Sequence, residues 1–185
     1  MTTMSPCTTA AICTIGHSNR SLETFIELLQ RNAIGRVVDV RTMPRSRHNP
    51  QFNVDALPLS LAEVGIEYTH LAGLGGLRKP RPDSPNAGWD NLSFRGYADY
   101  MQTPAFAENI ERLLDLARQR RCAMMCAEAV PWRCHRSLIA DALIARGVHV
   151  DDIIGPADAK PHKLTKFAHV EGTAVTYPPI NGTLL

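Results

Sequence analysis

The chain reads as an α/β protein with a doubly wound, mostly parallel five-stranded sheet and helices on both faces. Three observations predict this. Short β-branched runs alternate with stretches of helical period. One run, Cys122-Ala-Met-Met-Cys126, is apolar throughout, as a strand covered on both faces must be. The turns that return from helix to strand are short and bland, whereas the stretches leaving the strands are long and polar. The crossovers of such a sheet are right-handed.

In chain order, residues 11–15 are apolar and β-branched and end at Gly16, which suits a buried first strand. Ser21 caps a helix in which Leu22, Phe25, Ile26 and Leu29 fall at i, i+3, i+4 and i+7. Gly35 interrupts it, and residues 36–40 form the second strand. Leu57, Leu61 and Val64 share one face of a helix within residues 53–64, with Pro58 leaving its start open. Gly65 leads into a third strand over residues 66–70. The stretch 71–94, rich in Gly, Pro, Asn and Asp, is a long loop of the kind that is functional or mobile. Helical spacing resumes near Tyr97. Thr103-Pro104 then caps a helix with the stripe Phe106, Ile110, Leu113, Leu114 and Ala117. After the central strand, a turn with Pro131 leads to a helix over residues 134–146 that Gly147 ends, and residues 148–154 supply the fifth strand. The expected organisation is a flexible lead over residues 1–10, one α/β domain over 11–165, and a tail over 166–185 that packs on the domain.

Composition bounds the function classes. At 185 residues, with 44% hydrophobic and 21% charged residues, the chain is an ordinary globular protein rather than a disordered one. It has no apolar run of spanning length and therefore no membrane partner. Its first residues have neither a basic nor an apolar region, which argues against a secretory signal. The five cysteines are Cys7, Cys13, Cys122, Cys126 and Cys134. An odd number points to free thiols and a reducing, cytoplasmic location. The absence of any Cys-x-x-Cys pair excludes a zinc ribbon and a thioredoxin-type redox motif.

In a parallel sheet the strand-to-helix loops emerge at one edge, where ligands bind. Residues 16–20, 41–53, 71–95 and 127–137 carry ten basic and three acidic residues, against ten and fifteen in the rest of the chain. Clustered guanidinium groups at such an edge suit phosphate or carboxylate. The expected anion-binding set is His17, Ser18, Arg41, Arg45, Arg47, Gly75, Gly76, Arg133 and Arg136. The sharpest motif is Cys126-Ala-Glu128-Ala-Val-Pro-Trp-Arg133-Cys134-His135-Arg136. A thiol at a helix N-terminus beside Arg and His favours the thiolate, so Cys134 is the expected nucleophile on a solvent-facing segment. His135 serves as acid or base, and Glu128 orients it or carries a proton itself. Cys126 shares a strand face with Cys122 and Met124 and fits a core thiol as well as a catalytic one.

Cys126, Cys134, His135, Glu128 and His17 could ligate a metal. Their spacing is not finger-like, however, and Arg133 and Arg136 would repel a cation, so no metal ligand is assigned. No cofactor is named by any motif: Gly73-Leu-Gly75-Gly76 lacks dinucleotide or P-loop spacing. Three readings stay open. The first is an enzyme acting on a phosphorylated, nucleotide or nucleic-acid substrate; the second is a non-catalytic nucleotide or nucleic-acid binder; the third is a metal-binding domain.

Gly16-His17-Ser18, Asp39-x-Arg41-x-x-Pro44-x-Ser46, Leu74-Gly75-Gly76 and Cys126-x-Glu128-x-x-x-x-x-Cys134-His135-Arg136, in that order, resemble the prokaryotic family catalogued as domain of unknown function four-eighty-eight. The resemblance spans residues 11–165. It implies an α/β domain with these residues as the family signature, and it supplies neither substrate nor reaction. Asp39-Val-Arg41 and a cysteine loop between strand and helix are also similar to rhodaneses and cysteine phosphatases. Here six residues without a glycine separate Cys126 from Arg133, and Glu128 would repel a cradled anion.

Overall fold

In the computed structural model, which describes residues 11–179, five runs form parallel strands: β1 (Ile12–Gly16), β2 (Arg36–Asp39), β3 (Glu67–His70), β4 (Cys122–Cys126) and β5 (Val150–Ile153). A sixth strand, β6 (Lys160–Pro161), joins the edge antiparallel, and the order is β3-β2-β4-β1-β5-β6. These are the five strands that periodicity predicts. The sixth is a two-residue pairing with Asp151 and Asp152, too short to leave an alternating pattern. The lead expected over residues 1–10 and the end of the tail lie outside the described residues.

Helices cover both faces. On one, α1 (Leu22–Arg31) and α2 (Leu57–Glu63) bury Phe25, Leu29, Leu57 and Leu61 against Cys13, Ile15, Val37, Ala123 and Met125. On the other, α3 (Leu92–Tyr100), α4 (Pro104–Gln119) and α5 (Arg136–Ile144) pack on Val38, Cys122, Met124 and Cys126. The period-2 alternation along β4 divides the two cores residue by residue. Ser21 and Thr103 cap α1 and α4 as expected, accepting from the amides of Thr24 and Phe106. Helix α2 begins at Leu57, directly before Pro58, because a proline is tolerated only in the first turn.

Two elements depart from the sequence expectation. Helix α3 starts at Leu92, five residues before Tyr97, where Asn91 caps it by accepting from the amides of Ser93 and Phe94. The loop before it is also well anchored. The buried Asp99 of α3 accepts from Ser84 Oγ at 2.6 Å, the Arg81 amide at 2.8 Å and Asn86 Nδ2 at 2.8 Å. After β6 the chain forms a hairpin, β7 (His169–Glu171) and β8 (Ala174–Thr176), turning at Gly172 with φ +60°. Val175 and Tyr177 are buried against the α3–α5 face, and the Tyr177 hydroxyl donates to Asp141 at 2.8 Å. Among the described residues no helix is long and apolar enough to cross a membrane.

Candidate functional site

The loop after β2 turns towards α2 on one face, and the loop after the neighbouring β4 turns towards α5 on the other. Such a divergence opens a crevice at the C-terminal edge of a parallel sheet. A depression of about 410 Å³ lies there. Its floor is Cys126, Cys134 and His135; Arg41, Thr42, Met43, Gly76, Leu77, Ser93, Phe94, Glu128 and Arg133 form its walls and rim. A second depression, of about 550 Å³, adjoins it and shares Arg41, Glu128 and Arg133 while adding His17, Ser18 and Arg45.

The floor is tightly organised. Cys126 ends β4, and Cys134 closes the 3-10 turn that leads into α5. Both thiols are buried, and the Cys134 and Cys126 sulfurs and a ring nitrogen of His135 all lie within 4.8 Å of one another. His135 Nε2 is 3.0 Å from the Val40 carbonyl, which can only accept, so this nitrogen carries the proton. In the neutral ring Nδ1 then presents its lone pair, 3.6 Å from Cys134 Sγ. The two thiols behave as a pair. The hydrogen bond from Cys134 holds the Cys126 thiol well below its ordinary value despite burial, with His135 and Arg136 helping. The same bond and burial hold Cys134 well above it. The pair therefore gives up one proton readily and keeps the second.

This corrects one expectation. Cys134 is not on a solvent-facing segment: α5 is buried at every residue from Arg136 to Leu143, because it lies between the sheet and the β7–β8 hairpin side of the molecule. The thiol with the lowered affinity for its proton is Cys126, the one that strand alternation equally well places in the core.

Arg136 is the electrostatic partner of this floor. It is 0% exposed, donates from Nη2 to the Glu128 carbonyl at 3.0 Å, and leaves Nε and Nη1 without a hydrogen-bond partner. It forms no ion pair with a carboxylate among the described residues, yet its field acts on both Cys126 and Cys134. A buried guanidinium without a counter-charge costs several kcal/mol. Its field is among the influences that lower the pKa of the Cys126 thiol, so ionisation of that thiol would offset this charge.

The other arginines divide into three groups. Arg41 is neutralised: its guanidinium grips Asp39 at 2.9 and 2.6 Å, donates to the Phe52 carbonyl at 2.7 Å, and meets His17 Nε2 at 3.2 Å. His17 Nδ1 donates to the Ser18 carbonyl at 2.8 Å, and the ring stacks on Phe52 at 4.5 Å. Burial lowers its pKa, and both ring nitrogens are engaged, so His17 and Arg41 brace a wall. Arg20, Arg78, Arg95 and Arg136 tie down backbone carbonyls, with Arg78 also lying 3.7 Å over the Tyr100 ring. Arg45, Arg47 and Arg133 remain exposed, and of these Arg133 reaches both depressions, Arg45 the second, and Arg47 neither.

Sequence reasoning did not foresee the apolar rim of Met43 and Leu77, nor the Val40 carbonyl that sets the His135 tautomer. The glycine signal was legible. Gly76 lines the pocket while Gly75 packs beside Thr42, and a Cβ at Gly76 would stand 2.5 Å from His135 Nδ1. Gly76→Ala is therefore expected to turn the imidazole off Val40 and cost about 1–2 kcal/mol of stability. The check is loss of the downfield Nε2–H proton resonance of His135 in NMR spectra.

No curated protein and no solved structure matches this chain. A family model does, over residues 21–143, and that span includes the Asp39–Arg41 wall, the Gly75-Gly76 turn and the whole Cys126–His135 floor. Its description is "Domain of unknown function DUF488". With that match covering more than half of the chain, three of the sheet's six strands and every residue of the pocket floor, the chain belongs to the DUF488 family.

Proposed function

We propose that this protein is an enzyme acting on a small anionic compound, phosphorylated or a nucleotide, at the pocket floored by Cys126, Cys134 and His135. The observation that carries this reading is the pairing of two thiols and a tautomer-fixed imidazole with a buried, carboxylate-free arginine. A purely structural cluster has no use for a permanently charged group with orphaned donors, whereas a reactive site does. Cys126 is the thiolate, Cys134 its proton partner, and His135 Nδ1 the acceptor beside them. Glu128 on the rim exchanges protons with solvent. Arg133 and Arg45, exposed and unpaired among the described residues, make first contact with the anion. Phe94 and Leu77 offer apolar walls for a base or sugar. Reduced thiols of this kind require a reducing compartment, which the cytoplasm provides.

The test is ligand-induced thermal stabilisation with inorganic phosphate and AMP, together with turnover of a panel of phosphate esters and nucleotides. A ligand at a hundred times its dissociation constant stabilises by about 2.7 kcal/mol. Arg133→Ala is expected to weaken that binding about tenfold, while Cys134→Ser abolishes turnover and leaves binding in place. No stabilisation by either anion, or stabilisation indifferent to Arg133→Ala, removes the reading. Anion binding without turnover of any panel member favours the non-catalytic binder instead.

A further inference from the structure

The floor has a second property that thiol chemistry alone does not require. Two sulfurs and an imidazole nitrogen within 4.8 Å of one another are spaced as metal ligands. With metal–sulfur bonds of about 2.3 Å and metal–nitrogen bonds of about 2.0 Å, neighbouring ligand atoms of a tetrahedral centre stand about 3.5–3.8 Å apart. Cys134 Sγ and His135 Nδ1 are 3.6 Å apart. The outer contacts fit the same geometry. His135 gives its Nε2–H to the Val40 carbonyl at 3.0 Å, the usual device for aiming the other nitrogen at a metal. The Arg136 amide approaches Cys134 Sγ at 3.5 Å, a contact that stabilises a thiolate ligand. Gly76 leaves free the space in front of Nδ1 that a side chain would fill.

We infer that Cys126, Cys134 and His135 bind one divalent transition metal of the zinc or ferrous-iron class, with a fourth position open to the pocket. Two thiolates and an imidazole select a borderline or soft ion over magnesium or calcium. Among the described residues no further His, Cys, Asp or Glu joins the cluster, which leaves the fourth position open to the pocket. Three protein ligands plus an open position is the pattern of catalytic rather than structural centres. Two flanking arginines argued against a metal in the sequence, but the fold separates them. Arg133 is exposed at the rim, two thiolate charges offset the ion, and the wholly buried Arg136 adds one positive charge behind the floor. That excess of positive charge favours a negatively charged oxygen as fourth ligand. Where the metal is bound, the two sulfurs and the imidazole act as its ligands rather than as nucleophile and proton partners, and the inference rests on the reading above only for the anionic nature of the fourth ligand.

The experiment is cobalt(II) titration of the full chain, followed by X-ray absorption on the zinc-loaded protein. Expected are one equivalent of cobalt, a thiolate-to-cobalt charge-transfer band, and two sulfur scatterers at about 2.3 Å from zinc with nitrogen or oxygen at about 2.0 Å. Cys122→Ser, altering a buried thiol outside the site, keeps the band; Cys134→Ser loses about half of its intensity, and His135→Gln shifts its visible bands. Should the variants fail to fold, scatterer counting on the unaltered protein still decides. Uptake below one equivalent, a first shell with fewer than two sulfurs, or a band unchanged by Cys134→Ser overturns the inference. Inorganic phosphate separates the two proposals. If it perturbs the cobalt spectrum, the metal centre and the anion site both stand. If cobalt binds through two sulfurs but phosphate neither alters the spectrum nor stabilises the protein, the metal stands and the anion reading falls. If phosphate stabilises a protein that takes up no metal, the reverse holds.

Discussion

Gly16→Ala is expected to destabilise the protein by roughly 3 kcal/mol or more and to open the pocket floor. Gly16 ends β1 where it passes beneath the loop that follows β4, and the His17 and Ser18 amides donate to the carbonyls of Cys126 and Ala127 at 3.0 and 2.9 Å. A Cβ there would stand 2.7 Å from the Glu128 carbonyl carbon and closer still to its oxygen. Both obstructing atoms are backbone, so no side-chain rotation relieves the clash. The loop must move, and it carries the one acceptor, the Glu128 carbonyl, that holds the Arg136 guanidinium. The cost therefore combines overpacking with the loss of a hydrogen bond to a buried charge. Urea denaturation of Gly16→Ala against the unaltered protein measures it, and alkylation of Cys126 and Cys134 followed by mass spectrometry reports whether the floor has opened. A loss below about 1 kcal/mol with unchanged labelling would falsify the claim that this crossing is tight.

Raising the pH from about 6 to about 10 is expected to remove about 3 kcal/mol of stability that depends on His162. The residue is buried between two carboxylates, with Nδ1 2.8 Å from Asp152 and Nε2 3.3 Å from Asp141. Burial alone would depress the imidazole pKa, but hydrogen bonds to Asp141 and Asp152 and their charges raise it to about 9. In the unfolded chain it returns to about 6.5. The stabilisation is complete below that value and is lost as pH rises through the folded value. The same network reaches across the fold: Thr14 donates to Asp152 at 2.7 Å, and the Thr165 amide and Tyr177 hydroxyl donate to Asp141 at 3.1 and 2.8 Å. Protonated His162 thus ties the chain beyond β5 to both the sheet and α5. In urea titrations, His162→Gln should be less stable at about pH 6 and should lack the decline towards about pH 10. Parallel profiles for the two proteins would show that the network is neutral.

The elements that periodicity and capping specify were legible because each is decided within a few residues. Ser21 and Thr103 mark helix starts by accepting from amides three positions on, Pro104 by its fixed φ at the first helical position, and Gly65 and Gly147 turn the chain at φ +74°. Asn91 follows the same rule, yet it sits among many turn-forming residues, which masked it as a cap. The edge pairing at Lys160–Pro161 left no local trace, since its partners Asp151 and Asp152 belong to another strand. Cys126, Glu128, Cys134 and His135 stand in one motif, and the structure brings all four to one pocket. The positive edge was overestimated. Counting arginines cannot distinguish Arg133, which is free, from Arg41, which Asp39 neutralises, or from Arg136, which lies in the core.

Residue order alone therefore established the α/β class, the strand-and-helix succession and the sheet edge at which the motif's side chains gather, since these follow from side-chain period and from the parallel direction of the strands. Tertiary packing alone decided that Cys126 is the acidic thiol, that His135 presents Nδ1, and that Arg136 is a buried cation. Each of these depends on a neighbour supplied by another part of the chain: Cys134 from the turn before α5, Val40 just after β2, and Glu128 from the loop after β4. Proton affinity and ligand geometry are set by atoms within about 4 Å, and which atoms those are is fixed only when crossovers and register bring distant segments together.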